Sequence, residues 1–167
     1  MGNVQGTSGY LDDAVFKTVV ANVPLVSIDL IVRDEEGRIL LGKRVNKPAR
    51  GMWFSMGGRV MKNEAIADAI RRISQTELGV EPASKPAFLG VFEHFYDEGI
   101  FEGVSTHYVN LGYEIEVKTL PSLPKEQHSQ YRWFAPDELM RSDAVHQYVK
   151  DYFTTQPGSV PQNKEEK

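Results

Sequence analysis

The chain has 167 residues, the size of one domain, with 41% hydrophobic residues, 25% charged residues and a formal net charge of −4, which excludes a broad electrostatic attraction to nucleic acid or to an anionic membrane. It contains no cysteine, so disulfides, zinc–thiolate sites and thiol nucleophiles are excluded, and a reducing cytoplasm is the expected location. No apolar run approaches the roughly 20 residues that a membrane-spanning helix needs.

Residues 1–9, rich in Gly, Ser and Asn, read as a flexible leader, and the polar residues 156–167 as a disordered tail. Residues 10–155 are then a single domain. Leu11, Val15, Phe16, Val19 and Val20 form a helical stripe with Asp12 and Asp13 in the first turn, and Pro24 ends it. Residues 25–32 read as a strand, 34–37 as a turn and 38–44 as the returning strand of a hairpin. Asp29 interrupts the first of these strands. A carboxylate there either faces outward or reaches for a polar ligand.

Residues 46–51 are a loop, and Trp53 to Met56 a short apolar stretch running into Gly57 and Gly58. Glycines between a strand and a helix let backbone approach a phosphate or a metal ion closely. Most such pairs are only turns. From Asn63 the spacing predicts a helix, with Ile66, Ala69, Ile70 and Ile73 on one face, Asn63 as N-cap and Gly79 as the stop. Aromatic-rich residues 88–96 and residues 106–117 follow as strands, then a short strand at 131–134, a helix opened by Pro136 and further helix over 146–153. Strands and helices without regular βαβ alternation predict an α/β (α+β) fold, a mixed sheet sandwiched between helices.

Gly58, Glu64, Arg72, Glu77, Gly79 and Val80 fall in the register of the Nudix box: Gly, five residues, Glu, seven residues, then Arg-Glu-aliphatic-x-Glu-Glu-x-Gly-aliphatic. At these positions the chain resembles a Nudix hydrolase. Two of the box glutamates are replaced, by Ile73 and Thr76, and Ser74 stands where an aliphatic is usual. With Glu77 alone in the helix cluster, the site has room for one divalent ion. Glu77 could also be a solvated charge, but a carboxylate in a last helical turn opposes the helix dipole, which favours a ligand role.

Further segments carry a narrower resemblance, from about Tyr10 to about Phe153, to the GDP-mannose mannosyl hydrolases. They are Gly42-Lys43-Arg44 with Asn46, Lys47 and Pro48; Trp53-Phe54 before Gly57-Gly58-Arg59-Val60; His94-Phe95-Tyr96-Asp97; Thr106-His107-Tyr108-Val109; and Glu126-Gln127-His128 before Tyr131-Arg132-Trp133. Ser55-Met56 replaces a segment where Pro commonly precedes the glycines, which should loosen that loop.

The resemblance implies Mg²⁺-dependent hydrolysis of GDP-mannose, with GDP-glucose a second substrate, by water attack on the anomeric carbon with inversion. It implies one Mg²⁺ per site on the Gly57 carbonyl, Glu77 and Gln127, an all-oxygen set that suits this ion. His128 would be the general base, and its ordinary pKa of about 6.5 suits the task; read from its Gln-His-Ser surroundings alone it is equally a polar loop residue. Arg44 and Arg59 would hold the diphosphate, with Tyr108 also catalytic. Asp29, His94 and Tyr96 would meet the sugar, and Tyr10 would stack on guanine across a homodimer interface. Arg72 would orient helix carboxylates, unless it only pairs with Asp68 four residues earlier. His107 and His146 are left as structural or surface residues. Two other readings compete: a Nudix pyrophosphatase cutting at phosphorus, and a non-catalytic domain that binds a nucleotide sugar.

Overall fold

Residues 25–33 carry apolar side chains on both sides of an extended chain, the pattern of a strand covered on both faces. The computed structural model, which describes residues 11–154, puts this strand, β1 (Leu25–Arg33), in the middle of the sheet. Along the chain follow β2 (Ile39–Arg44), β3 (Trp53–Phe54), β4 (Met56–Arg59), α2 (Ile66–Leu78), β5 (Ala87–Tyr96), β6 (Thr106–Glu116), β7 (His128–Phe134), α3 (Pro136–Arg141) and α4 (Gln147–Thr154), with α1 (Asp13–Asn22) ahead of β1. The leader and tail expected at the ends, and Tyr10, lie outside the described residues.

Each edge of β1 has a different use. One edge runs parallel to β6 along its whole length, and β5 closes that side antiparallel to β6. The other edge is shared: Ser27 to Leu30 pair with β4, and Val32 and Arg33 with β2. β2 carries β3 and β7. The sheet therefore forks at β1, and the fork opens the space that becomes the site.

Alternation along β1 feeds two cores. Ile28, Leu30 and Val32 pack with Met56 and with Ala69, Ile70, Ile73 and Leu78 of α2. Ile31 packs on the opposite face with Phe54, Phe92 and Phe134 and with Leu139, Val149 and Tyr152 of α3 and α4. The mixed sheet is thus sandwiched between helices, as expected.

Several local expectations change. Asn63 does not cap α2: it adopts φ 66° in the preceding turn, and the cap position falls on Ala65, which makes no side-chain bond. Glu64 organises that turn instead, accepting from the Met61 N–H at 2.9 Å. Gly79 does end the helix, at φ 70°, the left-handed conformation that glycine adopts most cheaply. Ser74 fills its aliphatic position by donating its hydroxyl to the Val80 carbonyl at 2.7 Å, which satisfies a polar group inside the core. Met56, expected to sit in a loosened loop, is fully buried opposite Leu30. The α1 stripe is only partly used: Val20 is buried, whereas Leu11 and Val15 are 51% and 46% exposed.

Candidate active site

The fork, the last turn of α2 and the start of β7 enclose a cleft of about 280 Å³. Its walls bring together all the described residues singled out from the sequence for metal, catalysis or substrate: Asp29, Arg44, Gly57, Arg59, Arg72, Glu77, His94, Tyr96, Tyr108, Gln127 and His128. Ile73 and Thr76 line it too. The positions where the fuller box pattern has glutamates therefore face this site with uncharged side chains.

One wall is electrostatic. Glu77 is only 5% exposed and accepts from Gln127 Nε2 at 3.0 Å. Burial pushes its carboxyl up to about 7; Arg44 pulls the other way, and Glu126 adds a like charge. A carboxylate so enclosed is short of positive charge. Among the described residues no three His, Asp or Glu side chains converge on one point, so any cation here must draw on amide or backbone oxygen as well as Glu77. Gln127 is in contact with Glu77 and Gly57 lines the same cleft. This hard-oxygen donor set fits Mg²⁺.

His128 is not in a loop. β7 begins at this residue, three positions earlier than the aromatic run suggested, and pairs it with Arg44 across a bulge in β2. The ring is 1% exposed and lies against Gly42, where a Cβ would come within 2.5 Å of it. Glycine at 42 is thus what lets the imidazole lie flat on the sheet. Nδ1 is 3.5 Å from the Tyr131 hydroxyl and 4.0 Å from Glu77 Oε2, while Nε2 has no partner among the described residues. Burial, reinforced by Arg44, lowers its pKa to about 4, so the ring is neutral at physiological pH and able to accept a proton.

Arg44 donates through Nε to the Pro48 carbonyl at 2.8 Å, which anchors the guanidinium at the cleft rim. Arg59 lies over the Phe16 ring at 4.1 Å, a cation–π contact that ties α1 to the site. Arg72 pairs with Glu64 (2.6 and 2.9 Å) and donates to the Arg59 carbonyl at 2.8 Å. Its partner is not Asp68, which Arg71 takes at 3.0 Å. Arg72 therefore ties the end of β4, at Arg59, to the turn that Glu64 organises.

The opposite wall is aromatic and carries one carboxylate, Asp29. His94 and Tyr108 face each other across β5 and β6, and the Tyr96 and Tyr108 rings meet edge to face at 6.1 Å. His94 stacks on Tyr148 of α4 at 4.1 Å, with 3° between the planes. Its Nε2 is buried without a partner, and burial lowers its pKa to about 4. Asp29 faces α4 and accepts the Tyr152 O–H at 2.7 Å; burial raises its carboxyl to about 6 in spite of that bond.

Tyr148 and Tyr152 escaped the sequence reading, whereas His146, left there as structural or surface, packs structurally and does not line the cleft. His146 packs against Phe54, Tyr96 and Tyr148 and accepts the Tyr148 N–H at 3.2 Å, so it starts α4. The Tyr148–Tyr152 spacing, one helical turn on a helix already expected, was the available signal. His107 does lie outside the site, stacked on Phe95 and 3.4 Å from Glu93.

A glycine-bearing strand, a helix with one buried glutamate and flanking arginines thus meet at one cleft, and comparisons with known proteins show the family. The Nudix domain matches residues 23–154. Over 143 residues the chain is 43% identical to the low-salt glycan biosynthesis protein Agl8 of Haloferax volcanii, covering 85% of this chain and 88% of that one. The fold is similar to a MutT Nudix hydrolase of Burkholderia pseudomallei (TM-score 0.67, 25% identity, 79% and 97% of the two chains). It is also similar to the Nudix domain of Shewanella oneidensis NrtR in complex with ADP ribose (TM-score 0.62, 15% identity, 92% and 97%). The chain belongs to the Nudix family and is a Nudix hydrolase. Enzymes of this family generally use a divalent cation, usually Mg²⁺. Among the described residues no helix is long and apolar enough to cross a membrane.

Proposed function

We propose that this Nudix hydrolase cleaves a nucleotide sugar, GDP-mannose first and GDP-glucose second, at the anomeric carbon, releasing GDP and the free sugar with inversion. One observation carries the reading: Ile73 and Thr76 line the cleft beside a single buried Glu77, next to Gln127 and His128. Attack at phosphorus in this family draws on several helix carboxylates; attack at carbon needs a neutralised leaving group and a base for water. The likeness to a glycan biosynthesis protein points to the same substrate class.

In this scheme Glu77, Gln127 and Gly57 hold one Mg²⁺, which when bound offsets the charge of the departing diphosphate. Arg44 and Arg59 bind that diphosphate from the rim, with Tyr108 beside them. His128 takes a proton from water as the water oxygen bonds to the anomeric carbon. The carbon–oxygen bond to the diphosphate breaks, and its electron pair leaves with GDP. Asp29, His94 and Tyr96 hold the sugar on the aromatic wall. A second copy of the chain would cover the exposed Leu11, Val15, Val23 and Val26 and could bring Tyr10 to a guanine; a solution mass equal to one chain would exclude that dimer.

The discriminating experiment is turnover of GDP-mannose in ¹⁸O-labelled water with Mg²⁺. Label in the free sugar is expected. Label in a phosphate product would assign the pyrophosphatase reaction instead, and tight binding without turnover would assign a binding domain.

A further inference from the structure

Asp29 is held from below through Tyr152 and Asn110, neither of which lines the cleft, and the chain of bonds ends on Ser27, which does. Tyr152 donates to Asp29 Oδ2 at 2.7 Å, Asn110 Nδ2 donates to the Tyr152 oxygen, and Asn110 Oδ1 accepts from Ser27 Oγ at 2.6 Å. The three bonds run in one direction. Because the amide N–H occupies the tyrosine oxygen, the tyrosine's own proton goes to Asp29. Asn110 is fully buried and Tyr152 nearly so, so water does not compete for either.

The strand next to β1 is shaped for this contact. Opposite Asp29 on β6 stands Gly112. A Cβ there would lie 2.6 Å from Tyr152 Cε1 and 3.2 Å from Phe92 Cε2. Glycine inside a strand weakens it and marks a close approach; here it admits the tyrosine ring. On the other edge of β1, Gly57 faces Asp29, and a Cβ there would lie 2.6 Å from Asp29 Oδ1. Two glycines on neighbouring strands thus leave space for one carboxylate and its holder.

We infer that Tyr152 is a positioning residue: by fixing Asp29 Oδ2 it leaves Oδ1 as the oxygen offered to one ring hydroxyl of the sugar, and so sets the discrimination between sugars epimeric at that hydroxyl. The inference rests on the nucleotide-sugar reading of the cleft. A carboxylate free to turn meets either epimer; one held in a single orientation leaves the wrong epimer's hydroxyl without a partner.

The test compares kcat/KM for GDP-mannose and GDP-glucose in the wild type, Tyr152→Phe, Asp29→Asn and the double variant. Tyr152→Phe should lower the ratio of the two by about 10-fold and leave inhibition by GDP unchanged, because the nucleotide end is held elsewhere. Added to Asp29→Asn, it should lower the ratio no further. Asn110→Ala, one bond back along the chain, should act in the same direction and carries the test if Tyr152→Phe does not fold. A folded variant that discriminates like the wild type overturns the inference, as does one that weakens GDP and sugar equally, or a further loss in the double variant. A wild type that turns over neither sugar overturns the functional reading, and this inference falls with it; a wild type that cleaves both, beside variants with an unmoved ratio, overturns this inference alone.

Discussion

The two walls of the cleft are finished to different degrees. On the α4 side, Asp29 already has its donor, His94 its stacking partner and Tyr148 both its hydrogen bonds, donating to the Phe95 carbonyl and accepting the Phe95 N–H. On the α2 side, Glu77 is buried with an amide for company, and His128 keeps one ring nitrogen without a partner. A wall whose carboxylate and α4 tyrosines already have partners, even with His94 Nε2 left without one among the described residues, can select by shape and hydrogen bonding. A wall left short of positive charge is completed only when something cationic, and the anion that it carries, arrives. In the proposed reaction, selection and chemistry would thus fall on opposite walls of the cleft.

That division can be broken at several points. The largest effect is expected at His128: replacement by Ala should lower turnover roughly 10²–10⁴-fold while substrate still binds, measured by single-turnover rates beside equilibrium binding. Unchanged turnover would remove this imidazole from the reaction. Glu77→Gln comes next, with turnover lower by roughly 10²–10³-fold and a much higher Mg²⁺ concentration needed for half-maximal rate. Without divalent ion the same variant should melt no lower than the wild type, since it removes a buried charge; a clear drop in melting temperature would show that Glu77 is already well compensated.

Stability against pH separates the walls more finely. Burial raises Glu77 from its ordinary 4.5 to about 7. The folded state then holds a proton that the unfolded state releases, and stability from this group is lost as pH rises through about 4.5–7. Mg²⁺ should therefore raise the melting temperature more at pH 8 than at pH 5.5; equal shifts would place the ion elsewhere. His94 runs the other way. Its pKa falls from 6.5 to about 4, so the unfolded state takes up the proton and stability is lost as pH falls through that range. His94→Gln should flatten the acid side of the melting curve by a few degrees, and an unaltered acid limb would put that loss elsewhere. The smallest effect belongs to α1, outside both walls: Asp12, whose carboxylate accepts the Ala14 and Val15 N–H groups, should cost about 3 °C on replacement by Ala, with turnover unaltered. A loss of turnover there would mean that α1 does more than present Phe16 to Arg59.

Much of this was legible in the sequence because it depends on local pattern. The double-sided apolar run of β1, the i, i+3, i+4 face of α2 and the stop at Gly79 each follow from periodicity or from one residue's φ. The α2 wall was legible for a different reason: Gly58, Glu64, Arg72 and Glu77 fall in the register of the Nudix box, and Gln127 and His128 are reached only through the narrower resemblance, not through their local pattern. Misreadings came where tertiary structure decided. Asn63 looked like a cap, but the Glu64–Arg72 pair took over the turn, and such a pair is visible only once the helix has folded back on the loop. His128 looked like loop because β7 is anchored by pairing with β2, far away in sequence. The holders of the α4 wall, Tyr148 and Tyr152, come from the far end of the chain, and nothing nearby in the sequence says which tyrosine of a helix reaches which carboxylate.

β1 is paired along both edges, and the two-residue phase that sends Ile28 and Leu30 towards α2 is the same phase that sends Asp29 towards α4. One residue inserted or removed within the strand would exchange those sides, delivering a carboxylate to the apolar layer and an isoleucine to the cleft. The enzyme cannot lose its reading frame at this strand and stay merely less active. Folding β1 correctly and turning Asp29 towards α4 are therefore one event.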